Sequence, residues 1–212
     1  MASVLAVRGI EATSDAFRRS VLEMTERIGG NADYWLAVMS FETGGTFDPA
    51  IRNPASGAVG LIQFTKGAAA SVGLTREQLA ELDQVAQLVY VERYLERGKG
   101  RFQTLADHYL AVFAPAGMGK SPDHVLFRRG IDGARYDQNA GLDKDGDGAI
   151  TVADATAPVA SIVASATGRI EVPASSATSR VASAAGDASA ILGLLALIVG
   201  IHSFKRLGRL KT

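Results

Sequence analysis

Apolar residues recur at helical spacing in several stretches of the chain and predict its main elements. Phe17, Val21, Met24 and Ile28 lie three or four residues apart, which predicts a helix over residues 14–28. Similar patterns predict helices over residues 31–42, 76–83, 84–97 and 101–114. The predicted N-caps are Ser14 or Asp15 for the first helix and Thr75 for the third.

No stretch shows the strict apolar–polar alternation of a half-buried strand, so the sequence predicts a mainly α domain. Residues 46–63 are rich in Gly, Pro, Asn and Ser and are predicted to form a loop. In the helix at residues 84–97, the side expected to be buried carries Val85, Leu88, Val89 and Leu95.

The pattern changes after residue 155, which we take as the end of a helical domain over residues 1–155. Residues 156–187 are low-complexity Ala, Ser, Val and Thr and predict a linker, with a weak helix as the alternative. Residues 188–204 are apolar over a length at the short end of what spans a bilayer, and predict a transmembrane helix. The alternatives for this stretch are a helix packed against another protein and a helix at the membrane surface. The tail at residues 205–212 is basic.

The charge is unevenly distributed, although the formal net charge is +0. Residues 1–154 carry 16 Lys and Arg against 20 Asp and Glu, a net charge of −4. A neutral to acidic domain does not favour nucleic acid as a partner. The chain has no cysteine, which excludes disulfides and thiolate metal sites. Residues 1–15 lack the long apolar core of a signal peptide.

One acidic residue continues an apolar helix face. Helix geometry places Trp35, Val38, Met39 and Glu42 on the same side of the predicted helix at residues 31–42. A carboxyl in apolar surroundings loses solvation of its charged form, so we expect the pKa of Glu42 to be raised. A glutamic acid that stays protonated near neutral pH can donate its proton to a leaving oxygen, as in glycosidic bond cleavage.

The residues after this glutamate form a recognisable pattern. ETGG at residues 42–45 is followed by a loop containing NPAS and then by GAVGLIQF at residues 57–64. This arrangement resembles the signature of the soluble lytic transglycosylase family, E-S-x-x, a loop, and G-A-x-G-L-x-Q. Thr43 stands where the family usually has Ser. The resemblance covers residues 30–115 and implies a lysozyme-like transglycosylase domain.

The resemblance also implies residue roles. Glu42 matches the catalytic acid/base, and Gln63 with the backbone around Gly60 and Leu61 matches the lining of the sugar groove. Tyr109, in LADHYLAVFAPAG, matches a family tyrosine that contacts substrate, although the Asn-Ala-Gly that should follow is absent. A half-buried helix aromatic is the alternative role for Tyr109. The run from DHYLAVFAPAGMGK to YDQNAGLD resembles a phage-encoded variant of the family.

The family chemistry needs only one carboxylate and no cofactor. The 6-hydroxyl of N-acetylmuramic acid (MurNAc) attacks its own anomeric carbon, which leaves a 1,6-anhydro end and releases the neighbouring N-acetylglucosamine (GlcNAc). Glycosidases that use water need two carboxylates, and Asp48 is the candidate for a second one. With Asp48 in that role the protein is a hydrolytic lysozyme; the alternative for Asp48 is a turn before Pro49. A further alternative is a non-catalytic, glycan-binding structural protein of a virion membrane.

The resemblance to phage enzymes, together with the missing signal peptide, predicts a virion-associated muralytic enzyme that aids penetration of the host wall. Residues 188–204 then anchor it in a virion membrane or the host cell envelope. The positive-inside rule places the tail at residues 205–212 on the cytoplasmic or virion-interior side. The expected partners are peptidoglycan and the membrane. Ala196 and Gly200 form a small-xxx-small pair that weakly favours association with further copies or with other virion proteins.

Residues 143–154, DKDGDGAITVAD, match the spacing of an EF-hand calcium loop. The predicted ligands, at positions 1, 3, 5, 7 and 12, are Asp143, Asp145, Asp147, the backbone carbonyl of Ala149, and Asp154. Asp at position 12 is shorter than the usual Glu, which weakens calcium binding. The sequence therefore predicts one structural calcium site rather than a pair of calcium sensors, with an Asp- and Gly-rich turn as the alternative.

Overall fold

The computed structural model describes residues 2–174, and within them the chain is mainly helical. This part of the chain contains eight α-helices and four short strands. The helices are α1 (Asp15–Ile28), α2 (Ala32–Glu42), α3 (Lys66–Ser71), α4 (Arg76–Ala80), α5 (Gln84–Leu95), α6 (Leu105–Phe113), α7 (Ala134–Asn139) and α8 (Val152–Ser165). The strands are β1 (Ala2–Leu5), β2 (Val125–Arg128), β3 (Ala149–Thr151) and β4 (Arg169–Val172).

The helix α2 lies at the centre of the domain. Its residues from Trp35 to Ser40 are all buried, and α1, α6, α8 and β1 pack around it. Asn31 caps its N-terminus by accepting a hydrogen bond from the N–H of Asp33 at 2.8 Å. A helix that is apolar on every side is stable only inside a core, so this packing fixes its C-terminal residue, Glu42, relative to the rest of the domain.

Strands β1 and β4 join the two ends of the described domain. They pair antiparallel, with Ala2 opposite Val172 and Leu5 opposite Arg169. The guanidinium of Arg169 donates to Asp33 on α2 at 2.9 Å and to the carbonyl of Ser3 at 2.8 Å. The N–H of Leu5 also donates to Asp33, at 2.7 Å. These bonds connect both strands to the start of the central helix. Strands β2 and β3 form a second antiparallel pair.

The prediction of a linker from residue 156 onward is wrong for residues 156–172, and the domain does not end at residue 155. α8 runs to Ser165 and packs against α2 and α6, and β4 follows it. Val152, Ala155 and Val159 on α8 are buried. The Ala and Val side chains that read as low complexity are small, and they allow close packing of one helix against others. The alternative of a helix is confirmed for the part of this segment within α8.

Five predicted helices are confirmed as α1, α2, α4, α5 and α6, and the predicted caps Ser14 and Thr75 both accept hydrogen bonds from backbone N–H groups. The predicted buried side of α5 is wrong in part. Val85 and Val89 are 38% and 55% exposed, whereas Gln87 is fully buried beside Leu88. The expectation of no strands is also wrong, since four strands of three or four residues are present among the described residues.

Three predictions concern residues outside the described part of the chain. These are the remainder of the linker at residues 175–187, the transmembrane helix at residues 188–204 and the basic tail at residues 205–212. None of the helices between residues 2 and 174 is both long enough and apolar enough to cross a membrane.

Candidate active site

Glu42 is the last residue of α2, and the turn that follows it is held by Thr43. The Thr43 hydroxyl donates to the carbonyl of Met39 at 2.7 Å and accepts from the N–H of Phe47 at 3.0 Å. Thr43 is fully buried. A hydroxyl is required for this pair of bonds, which gives a structural reason for Thr or Ser directly after the glutamate.

As a whole residue Glu42 is half-buried, and its carboxyl is the desolvated part. Burial raises the pKa of Glu42 to about 8, as expected from its place on the apolar face of α2. Among the described residues, no charged side chain adds to this shift, and burial alone accounts for it. At neutral pH the carboxyl is therefore mostly protonated and able to donate a proton.

Tyr109 on α6 lies beside Glu42. Burial raises the pKa of the Tyr109 hydroxyl, and the negative charge of ionised Glu42 adds to this effect. The Tyr109 ring contacts Phe41 edge-on at 5.5 Å between centroids and stacks on Phe113 at 5.3 Å. Phe113 in turn contacts Phe127 at 5.7 Å. We call these four aromatic side chains, Phe41, Tyr109, Phe113 and Phe127, the aromatic row.

The structure thus brings together two of the predicted site residues, Glu42 and Tyr109. Tyr109 is only 3% exposed, so its ring is part of the core as well as a neighbour of the carboxyl. The substrate contact predicted for Tyr109 stays a prediction, and its ring is more buried than the alternative of a half-buried helix aromatic.

The backbone at Gly60 and Leu61 packs against Gln87 of α5. The N–H of Gly60 donates to the carbonyl of Ile51 at 2.9 Å, and the N–H of Leu61 donates to the side-chain oxygen of Gln87 at 2.7 Å. Gly60 has φ +80°, and a Cβ atom there would lie 2.3 Å from the same Gln87 oxygen. The backbone can therefore approach α5 only with glycine at this position.

These bonds fix the shape of the loop at Gly60 and Leu61. Leu61 is fully buried, and the N–H groups of both residues are already bonded within the protein. The predicted lining of the sugar groove by this backbone stays a prediction. Gln87 completes the arrangement by donating to the carbonyls of Pro49 at 2.9 Å and Leu79 at 2.7 Å.

Gln63 lies at the surface of a cavity. Its backbone has φ +50°, a left-handed conformation that is rare for residues other than glycine and that often marks functional sites. Its side chain donates to the carbonyl of Gly60 at 3.1 Å. A cavity of about 360 Å³ is lined by Gln63, Tyr94, Arg97 and Phe113, among others. This placement agrees with the predicted contact of Gln63 with substrate, which stays a prediction.

Phe113 connects this cavity to another. A cavity of about 510 Å³ is lined by Phe113, His124, Phe127 and Arg135, among others. Phe113 and Phe127 belong to the aromatic row, so the row leads from the neighbourhood of Glu42 to both cavities. Glu42 itself is not among the residues that line these two cavities.

Asp48, the candidate for a second carboxylate, is exposed and takes part in a turn. Its Oδ1 accepts from the N–H of Ala50 at 2.8 Å, which is the geometry expected for Asp before Pro49. Asp48 also makes no contribution to the raised pKa of Glu42, whereas two carboxylates in one site raise the pKa of one of them. The geometry therefore favours one acidic group over two.

The predicted metal ligands fall into two groups. Asp143, Asp145 and Asp147 each offer a carboxylate oxygen, and these oxygens lie within 4.8 Å of one another. Ala149 begins β3 directly after them. Asp154 is not part of this cluster and caps α8, where its Oδ2 accepts from both the N–H and the hydroxyl of Thr151.

Comparison with known proteins identifies no relative of this chain. No protein-family model matches it, no curated protein matches it, and no solved structure matches it. The assignment of function therefore rests on the residues and the geometry described above.

Proposed function

We propose that this protein is a peptidoglycan lytic transglycosylase with a lysozyme-like domain, in which Glu42 is the only catalytic carboxyl. The observation that carries the proposal is the environment of Glu42. Its carboxyl ends a rigid central helix, and burial raises its pKa to about 8, so that it is protonated at neutral pH. A half-buried acid whose pKa is raised in this way has the chemistry needed to protonate a glycosidic oxygen.

The first step transfers the proton of Glu42 to the oxygen that links MurNAc to GlcNAc. The bond between the MurNAc anomeric carbon and this oxygen breaks, GlcNAc leaves as an alcohol, and positive charge develops on the MurNAc ring. Glu42 is now a carboxylate in apolar surroundings, where it stabilises nearby positive charge more strongly than it does in water.

The second step returns Glu42 to its starting state. The 6-hydroxyl of the same MurNAc attacks the anomeric carbon and gives its proton to the Glu42 carboxylate. A 1,6-anhydro ring forms, and no water is consumed. Because the nucleophile belongs to the substrate, the site needs no second carboxylate, which agrees with the exposed, turn-forming position of Asp48.

Other residues support this chemistry. We assign Tyr109 to positioning the Glu42 carboxyl, because its buried ring is held between Phe41 and Phe113. We assign Gln63 to contact with the glycan, since it lines a cavity. Gly60, Leu61 and Gln87 keep the loop that carries Gln63 in place.

The products of digestion test the proposal. The full-length chain should be incubated with purified peptidoglycan and the released muropeptides identified by mass spectrometry. We expect 1,6-anhydro-MurNAc ends. Reducing MurNAc ends would show a hydrolytic lysozyme instead, and the absence of released fragments would support a protein that only binds glycan.

A pair of variants assigns the activity to Glu42. Glu42→Gln keeps the shape of the side chain and removes the proton, so we expect the rate to fall by about 10²–10⁴. Glu26→Gln is the matched control, because Glu26 is an exposed residue of α1, and it should retain activity. Wild-type activity should also decline as the pH rises past about 8, since the acid is then ionised. A Glu42→Gln variant that digests peptidoglycan at the wild-type rate would refute the assignment.

The location of the enzyme is proposed from the sequence alone. The apolar residues 188–204 and the basic residues 205–212 favour anchoring in a virion membrane or a host cell envelope. Extraction of membranes with alkaline carbonate tests this, because an integral protein stays with the membrane. Release of the full-length chain by carbonate would contradict membrane anchoring and favour a helix packed on a partner protein.

A further inference from the structure

An acidic loop, residues Asp143–Asp147, lies between α7 and β3. Oxygens of its three aspartates are within 4.8 Å of one another. Like charges at this separation repel, so the arrangement is unfavourable without a compensating positive charge. Exposed acidic clusters also occur without a bound ion, and the cluster alone is not evidence of a metal site.

A second observation points to a ligand at this loop. The side chain of Asp143 is only 1% exposed. Its Oδ2 is fully used, since it accepts from the Tyr136 hydroxyl, the N–H of Gly148 at 3.0 Å and the guanidinium of Arg129 at 3.2 Å. Its Oδ1 is buried and has no hydrogen-bond donor among the described residues. A buried carboxylate oxygen without a partner is costly, and a bound cation removes that cost.

The backbone of the loop presents the carboxylates together. The Oδ1 of Asp145 accepts from the N–H of Asp147 at 3.3 Å, and the Oδ1 of Asp147 accepts from the N–H of Ala149 at 2.7 Å. Gly148 has φ +85° and turns the chain sharply into β3, which pairs with β2. The loop is therefore anchored on both sides, by Asp143 on one and by the β2–β3 pair on the other.

The chemistry of the donors selects the kind of ion. All three side chains are carboxylates, and hard cations such as Ca²⁺ and Mg²⁺ prefer oxygen ligands. Arg129 pairs with Asp143, which leaves the carboxylates of Asp145 and Asp147 for a divalent ion to neutralise. Mg²⁺ requires near-ideal octahedral geometry, whereas Ca²⁺ accepts carboxylates and backbone carbonyls from a single loop with this spacing.

We propose that Asp143, Asp145 and Asp147 bind one Ca²⁺ ion, with the carbonyl oxygen of Ala149 and the carboxylate of Asp154 completing the protein ligands. Asp154 lies outside the carboxylate cluster, and its Oδ1, which the α8 cap does not use, would have to move towards the loop to reach the ion. The site is independent of the glycan chemistry proposed for Glu42. It connects to that chemistry only through packing, because α8, which follows this loop after β3, lies against α2 and α6.

Calcium titration of the full-length chain after treatment with a chelator tests the site. Isothermal titration should show one saturable Ca²⁺ site with a Kd on the order of 10⁻⁵–10⁻³ M, weakened by the short Asp154. The variant with Asp145→Asn and Asp147→Asn should bind at least about tenfold more weakly, because ligand charge sets calcium affinity. Asp137→Asn is the matched control, since Asp137 is an exposed acid on neighbouring α7, and its affinity should equal that of wild type.

Thermal melting gives an independent readout. At a Ca²⁺ concentration about 100-fold above the Kd, the wild-type melting temperature should rise by about 5 °C or more relative to the chelated protein. The double variant should melt at the same temperature with calcium and with chelator. Asp145 and Asp147 are exposed, so these substitutions should leave the fold intact, and circular dichroism without calcium checks this.

One further variant separates calcium binding from general charge effects. Asp154→Glu keeps the cap of α8, because Glu also forms capping boxes, and it supplies the longer carboxylate that binds calcium through both oxygens. We expect tighter calcium binding by this variant. The proposal is refuted if wild type shows no saturable binding, if Mg²⁺ binds as tightly as Ca²⁺, or if Asp137→Asn weakens binding as much as the double variant does.

Discussion

At the scale of single residues, Glu42 is useful for chemistry and unfavourable for stability. In the unfolded chain its carboxyl ionises with a pKa near the ordinary 4.5, whereas in the folded domain burial raises the pKa to about 8. Between these two pH values the folded state retains a proton that the unfolded state releases. The folded state therefore becomes less stable, relative to the unfolded state, as the pH rises from 4.5 to 8.

Replacing Glu42 should remove this penalty. At pH 4 the Glu42 carboxyl is mostly protonated in both the folded and the unfolded wild type, so the stabilities of wild type and Glu42→Gln should be similar. At about 1.4 kcal/mol per pKa unit, the variant should gain on the order of 4–5 kcal/mol relative to wild type at pH 8.5. Urea unfolding at the two pH values measures the difference. For the exposed control Glu26→Gln, the stability difference from wild type should be the same at the two pH values. A pH-independent difference for Glu42→Gln would contradict the raised pKa of Glu42.

His108 affects the acidic side of the pH range instead. It is fully buried, its Nε2 accepts from the N–H of Asn31 at 2.8 Å, and its Nδ1 faces the carbonyl of Thr104 at 2.6 Å. Burial lowers the pKa of His108, so protonation of the unfolded chain destabilises the domain as the pH falls below about 6.5. Since His108 is present in every variant above, this effect cancels when wild type and variant are compared at one pH.

At the scale of secondary-structure elements, α8 is the helix that departs most from the sequence-based prediction, which placed a linker there. Val159 is fully buried where α8 packs against α2 and α6. Val159→Ala should therefore destabilise the domain by about 1–3 kcal/mol through the cavity it leaves. Ala160→Ser, at an exposed position on the same helix, should change stability by less than about 0.5 kcal/mol. Equal effects in denaturant unfolding would mean that α8 is not packed in the core.

The contrast between α8 and the other helices shows what local sequence can predict. α1 and α2 carry large apolar side chains at helical spacing, which marks their buried faces clearly. α8 buries small residues instead, so its buried face is not marked by large apolar side chains. The sequence feature that indicates its N-terminus is the capping box formed by Thr151 and Asp154, and both residues were assigned to the calcium loop. The pairing of β1 with β4 joins segments far apart in the chain, which local patterns do not reveal.

The candidate site, like the fold, could be predicted from the sequence only in part. Glu42 could be identified because a carboxylate interrupts an apolar stripe directly before a glycine-rich loop. The role of Gln87 could not be identified from the sequence. Hydrophobic periodicity predicts that a glutamine is exposed, and Gln87 lies 26 positions from Leu61, whose N–H donates to it. Its position next to Leu88 and four residues before Val91, both on the buried stripe of α5, was the available signal.

At the scale of the whole molecule, the limits of the domain determine which fragments fold. A fragment ending at residue 155 lacks β4 and most of α8, so it exposes the surface of α2 that α8 covers. We expect this fragment to be unfolded or aggregated by circular dichroism and gel filtration. A fragment ending at residue 174 should melt cooperatively. Cooperative melting of the shorter fragment would place α8 outside the folding unit.

Because β1 pairs with β4, the first and last strands of the described domain are neighbours in space. Because Ala2 lies opposite Val172, the two residues are about 5 Å apart between Cα atoms, and a short Gly-rich linker can join them. New ends can then be opened between Lys99 and Gly100, both exposed in the turn that follows α5. This circular permutant should fold and retain the muralytic activity proposed for the parent, as measured by melting and peptidoglycan digestion. A permutant that fails to fold would indicate that the chain must be continuous between α5 and α6, and that closure by the two terminal strands does not suffice to define the domain.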